Sequence, residues 1–301
     1  MSPRVLRAVT AAVAAASVLA GGCRGAAKPG SGAAAARGPL ALVEEKKYDE
    51  AIAAVGAASD PEALFVLGRA WAGKAALAPV PAPEPGQTLP PLKPEEMTAL
   101  GYLERVVAAR PDHAGAHLAI GDLLAPHALA LAEARRVSPP GSIAPPPGVD
   151  ASAERVVRSY ADAMQADPAG SDAAEKLVRF GMAAGRLAEA DAAYQELLKR
   201  RREDPALLVR YGDFLAGVRG EPERALAQYA QALMWRPDDA TTRLKMAEIY
   251  LQAAASHLAK REYASADQRI RDARGLGFDP SSPQGARMRD LEQQLRDIRG
   301  R

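Results

Sequence analysis

A single cysteine, Cys23, stands among 301 residues, so no internal disulfide can staple this chain. Aromatic residues are scarce at 5%. No run alternates Val, Ile, Thr and aromatics as a half-buried strand would. An excess of one charge is also missing: the net charge is +2 with 25% charged residues, which gives no basic field for nucleic acid. The apolar stretch Ala8–Ala20 falls short of the ~20 residues that a transmembrane helix needs. There is no G-x-S-x-G, H-E-x-x-H, P-loop or G-x-G-x-x-G. His113 and His117 share a helix face, but no carboxylate or cysteine joins them at ligand spacing on the same turns. These absences predict neither catalysis nor cofactor nor metal. What the chain has instead is alanine, the strongest helix former, and the reading is all-α.

The N-terminus carries an address. Arg4 and Arg7 precede the apolar stretch, and the small residues Ala20, Gly21 and Gly22 precede Cys23. A basic start, a short apolar region and small residues at the cut make a secretory signal peptide. The last four of these residues resemble the lipobox of bacterial lipoproteins, although that family prefers leucine where Ala20 stands and Leu19 lies one place earlier. The resemblance implies cleavage after residue 22 and acylation of Cys23. Multiple acyl chains hold a protein stably where one holds it only reversibly. Arg24, in place of the aspartate that favours inner-membrane retention in that family, implies the outer membrane. Residues 23–37 then form the lipidated cysteine and a flexible tether. The residues alone leave a free thiol, or an ordinary signal peptide with an incidental cysteine, open.

Beyond residue 37 a period near 34 residues emerges. Its clearest copy is Ala225, Tyr229, Ala232 and Pro237; the same spacing returns in Val156, Tyr160, Ala163, Pro168 and in Ala99, Leu103, Val106, Pro111. Looser copies are Ala51, Val55, Ala58 with Pro61; Ala190, Tyr194, Leu197 with Pro205; and Ala266, Ile270, Ala273 with Pro280. Steps of four and three place these residues on one helix face, and the proline stops the helix. A second pattern sets a small residue between large ones: Leu67-Gly68 with Trp71, Ile120-Gly121 with Leu124, Tyr211-Gly212 with Leu215, and Met246-Ala247 with Tyr250. Leu177-Val178 with Phe180 is a poor copy. Together the two patterns resemble the tetratricopeptide repeat over residues 38–280. The resemblance implies a helix-turn-helix solenoid of about five to six repeats, with residues 281–301 supplying a capping helix.

Two proline-rich insertions interrupt the pattern, at 78–94 and 138–150, each between the two helices of a repeat. Such segments favour extended conformations. They read either as tolerated surface insertions or as docking segments, and, one repeat apart, they are expected to emerge from the same edge. The helix over 240–258 is also long for the repeat. The run Lys199–Arg202 reads as a solvated helix end, with contact to acidic lipid as the alternative.

In the resembled family, ligands lie against the first helix of each repeat. The position after each small residue carries Arg69, Asp122, Arg179, Asp213 and Glu248, a row mixed in sign and without a carboxylate clamp on adjacent repeats. The resemblances together imply an outer-membrane lipoprotein, facing the periplasm, that binds proteins as a scaffold. Similar lipoproteins help to assemble secretion, pilus, barrel or motility complexes. The alternative is an accessory protein that recruits a peptidoglycan hydrolase or synthase.

Overall fold

The computed structural model describes residues 38–82, 89–138, 143 and 150–299. The signal peptide, Cys23 and the tether lie outside the described residues, as do parts of both insertions. Among the described residues the regular structure is entirely helical.

A short pair opens the chain: α1, Pro39–Glu44, and α2, Tyr48–Val55. Long pairs follow: α3, Pro61–Leu77, with α4, Pro94–Ala109; α5, Ala114–Arg136, with α6, Ala153–Ala166; α7, Asp172–Ala183, with α8, Leu187–Arg200. Then come α9, Pro205–Phe214, continued by a π-helical turn Leu215–Arg219, with α10, Pro222–Trp235; α11, Ala240–Ala259, with α12, Tyr263–Gly275; and α13, Pro283–Arg299. The described residues fall into two compact units divided after Glu196.

The helix boundaries follow local chemistry. Pro61, Pro94, Pro205 and Pro222 occupy first helical positions, where the missing N–H costs nothing. Asp60, Ser152, Asp204 and Asp239 accept N–H bonds from the first turns of α3, α6, α9 and α11. Every tight turn between the paired helices holds a left-handed residue: Lys46 (φ 61°), Gly185 (70°), Gly220 (67°) and Arg261 (62°). Among the described residues, the two connections that carry insertions have none.

The predicted second-helix faces are the buried ones. Ala99, Leu103, Val106 and Val156 have no exposed surface, and Tyr160, Tyr229 and Ile270 expose 3% or less. In the copy at 51–58 only Ala51 is fully buried, because α2 ends at Val55 and Gly56 turns the chain with φ 62°. The small positions are equally firm. A methyl group on Gly68 would meet Leu103 at 2.7 Å, one on Gly121 would meet Tyr160 at 2.5 Å, and one on Gly212 would meet Tyr229 at 2.4 Å. Only glycine permits such an approach of ring to backbone.

The copy at 177–180 keeps the phase of the sequence reading: Lys176 stands two residues before Val178 as Lys245 stands two before Ala247, and each reaches an aspartate of the preceding first helix. One turn further along α7, Gly181 lies close to the turn into α8, where a Cβ would fall 2.9 Å from the Arg186 carbonyl oxygen and 3.0 Å from the Ala190 methyl. Gly121 and Gly212 face Tyr160 and Tyr229, the second residue of each second-helix pattern, whereas Gly181 faces the first, Ala190. Val178 is buried where the other copies carry glycine or alanine, which is what makes this copy poor.

At the end of the chain, α13 buries Leu291 and Leu295 in one cluster with Leu251, Ala254, Ala266, Ile270 and Ala273. By length and composition α5 alone among the described helices would cross a membrane, yet 56% of its apolar window is buried in the structure, as in a core helix.

Candidate functional site

The row of residues after each small position is largely engaged by the structure itself. In the first unit the Asp122 carboxylate accepts the Tyr160 hydroxyl at 3.1 Å and pairs with the Lys176 ammonium. In the second unit Asp213 accepts the Tyr229 hydroxyl at 2.7 Å and takes Lys245 at 2.6 and 2.5 Å on its two oxygens. Glu248 pairs with Arg287 of α13.

The two aspartate sites share one logic. The glycine lets the tyrosine of the second helix lie against the first. The ring's hydroxyl then reaches the next residue of that first helix, the aspartate. A lysine from the following first helix, α7 or α11, closes the group. Burial, reinforced by the negative Asp122, pushes the Tyr160 phenol far above its ordinary range. Burial and the hydrogen bond to Asp213 do the same to Tyr229. Both phenols are thereby fixed as neutral donors. All the carboxylates and cations of these groups keep partial exposure, Asp122 at 43% and Asp213 at 45%. They join neighbouring pairs while still facing solvent.

The remaining two residues of the row behave differently. The Arg69 guanidinium lies 5.9 Å from the centre of the Phe65 ring, a cation–π contact. Arg179 donates its Nε to the Glu175 carbonyl oxygen of its own helix at 3.4 Å. Of the five residues predicted as a recognition row, three therefore pair with a later helix, and Arg69 and Arg179 engage groups of their own helices. The sequence carries no local sign of the pairing, since the partners stand 54, 32 and 39 residues away.

Other singled-out residues have structural partners. The His113 Nδ1 accepts the Ala116 N–H at 3.0 Å and caps α5. The His117 Nε2 lies 2.7 Å from the Pro111 carbonyl oxygen. Among the described residues, no group of three His, Cys, Asp or Glu side chains stands close enough to hold a metal ion. Arg201, within the basic run that ends α8, pairs with Asp204. An open depression of about 450 Å³ lies between α4, α5 and α6, lined by Glu104, His117, Arg155, Arg158 and Asp162, with both signs of charge represented.

No protein-family model matches the chain, and a search of curated proteins finds no relative. Among solved structures, the chain is similar to TTC0263, a thermophilic TPR protein of Thermus thermophilus, with 21% identity, 70% of this chain and 96% of that one covered, and a TM-score of 0.36. It is similar to YrrB, described as a TPR protein with an unusual peptide-binding site, at 13% identity, 85% and 100% coverage and a TM-score of 0.40. It is also similar to PilF of Pseudomonas aeruginosa, at 15% identity, 79% and 83% coverage and a TM-score of 0.34. Overlaps of this size at such identities say nothing of ligands or partners.

Proposed function

We propose that this protein is a lipid-anchored helical-repeat adaptor of the bacterial envelope, attached to the outer membrane through Cys23, facing the periplasm and binding protein partners to assemble an envelope complex. The observation that carries the binding half is the first-helix row. Asp122, Asp213 and Glu248 are paired with cations yet remain 43–45% exposed. A partner's charged groups are read by such half-satisfied pairs without stripping bare charges of water. The observation behind the anchor is the basic, apolar and Gly-Gly-Cys order of residues 1–23. Confinement to one membrane raises the effective concentration of adaptor and partner.

Two measurements test the reading. Cys23→Ser is expected to move the protein out of the membrane fraction; an unchanged membrane fraction defeats the anchor. Crosslinked purification from native membranes is expected to enrich a component of a secretion, pilus, barrel or motility complex. That enrichment is expected to fall when Arg69 and Asp213 are reversed in charge. Recovery of a peptidoglycan hydrolase or synthase in its place would replace complex assembly with enzyme recruitment.

A further inference from the structure

The two proline-rich insertions are separate interruptions in sequence, but one described residue of each lies in the same buried cluster. The first leaves α3 at Ala78 and returns at Lys93. There the Lys93 ammonium, 9% exposed, donates to the Ala75 and Ala78 carbonyl oxygens at 2.6 and 2.7 Å. Ala75 lies in the last turn of α3, where its carbonyl also accepts the Ala78 N–H at 3.2 Å, and Ala78 is the cap that follows the helix. The base of the first insertion is thus tied to the helix it departs from. Its far end is tied again: the Lys93 N–H donates to Glu96 Oε2 at 2.7 Å, and the same oxygen faces the His127 Nε2 of α5 at 3.1 Å.

The apolar contacts join the two insertions. Leu89 of the first and Ile143 of the second lie in one buried cluster with Ala130, Leu131 and Ala134, at 4% and 9% exposure. Those three residues stand on the last turns of α5, a helix of 23 residues paired with one of 14. Its extra length carries the cluster's alanines and leucine.

We infer that Leu89 and Ile143 form one latch on the extended end of α5, held together or released together. Their anchoring side chains face inward and are not offered to a partner. An event that frees Leu89 then frees Ile143, and links the α3/α4 pair to the α5/α6 pair through a contact outside the repeat core. Residues that share one packing site couple in this way, and the coupling is reciprocal.

The test uses the full-length chain with Cys23→Ser, which removes its only thiol. Ile143→Cys reports on the second insertion through its rate of alkylation, with and without Leu89→Asp. Leu89→Cys reports on the first, with and without Ile143→Asp. The expected result is an alkylation rate at least tenfold higher in both directions, with the helical circular dichroism and melting of the repeats preserved. A rate within twofold of the parent in either direction overturns the inference. Should an aspartate variant fail to fold, Leu89→Ala and Ile143→Ala carry the same test. They are expected to accelerate alkylation at least threefold, and an unchanged rate again overturns the inference.

Discussion

The pair α5/α6 and the pair α9/α10 bring the same kinds of residue together. Gly121 lies beneath Tyr160, whose hydroxyl meets Asp122, and Gly212 lies beneath Tyr229, whose hydroxyl meets Asp213. Their connections have nothing in common. α5 runs 23 residues and leads into a proline-rich insertion, whereas α9 runs 10, passes through a π-helical turn and reverses at Gly220. In the shorter pair, the Arg224 guanidinium donates to the Tyr211 hydroxyl at 2.6 Å, and Arg219 Nε donates to Glu221 at 3.0 Å, bracing the turn. The same contact thus forms behind a short and a long connection. Closing a longer loop costs only about 0.6 kcal/mol for each doubling of its length. Specificity resides in the facing residues, and the connection is free to vary and acquire other work.

The comparison breaks most severely at the glycines. Gly121→Val and Gly212→Val each force a branched side chain into a tyrosine ring, and a loss of about 3 kcal/mol or more is expected, alike in both pairs, from denaturant unfolding. A cost at Gly121 far below that at Gly212 would show that the longer α5 yields where α9 does not. Lys93→Met tests the connection that the short pair lacks. Removing the ammonium leaves the Ala75 and Ala78 carbonyls without that donor, for an expected loss of about 1–3 kcal/mol in the first unit, read by hydrogen exchange.

Tyr160→Phe and Tyr229→Phe are expected to cost about 0.5–1.5 kcal/mol each in thermal unfolding. They also carry a pH signature. Folding raises both phenol pKa values, so below about pH 10 these tyrosines are protonated in both states. Above that pH the unfolded chain releases their protons first. Stability therefore falls as pH rises, by up to about 1.4 kcal/mol per pH unit for each phenol. The double Phe variant is expected to show a shallower alkaline decline, measured by the midpoint of urea unfolding against pH. Smallest of all are Lys176→Ala and Lys245→Ala, at about 0.2–1 kcal/mol each, since these ion pairs face solvent and are screened by salt. Their unfolding midpoints are expected to converge on the parent's as salt is added.

Much of the architecture was legible because it is local. The Ala225, Tyr229, Ala232 spacing needs only a helix to become a buried face, and Pro205 and Pro222 mark where helices begin. The repeat at α7 was the least legible: Val178 stands where the other copies carry glycine or alanine, so no small residue marks the position. Asp122 and Asp213 looked available for binding because their lysines arrive from the next first helix, at a separation that no motif fixes. Leu89 and Ile143 are isolated apolar residues in proline-rich surroundings, and their common seat exists only once α5 is folded to its full length.

The tight turns between paired helices have a practical bearing. Gly185 and Gly220 adopt their left-handed backbone freely, but Lys46 and Arg261 hold the same conformation against the crowding of their own Cβ atoms. Relieving that crowding with Lys46→Gly and Arg261→Gly is expected to add about 0.5–1 kcal/mol at each turn and to raise the melting temperature. Neither change touches a first-helix residue of the candidate row. The molecule thus carries its own reserve of durability, in two hinges where a smaller residue would make a hardier protein with its surface chemistry intact.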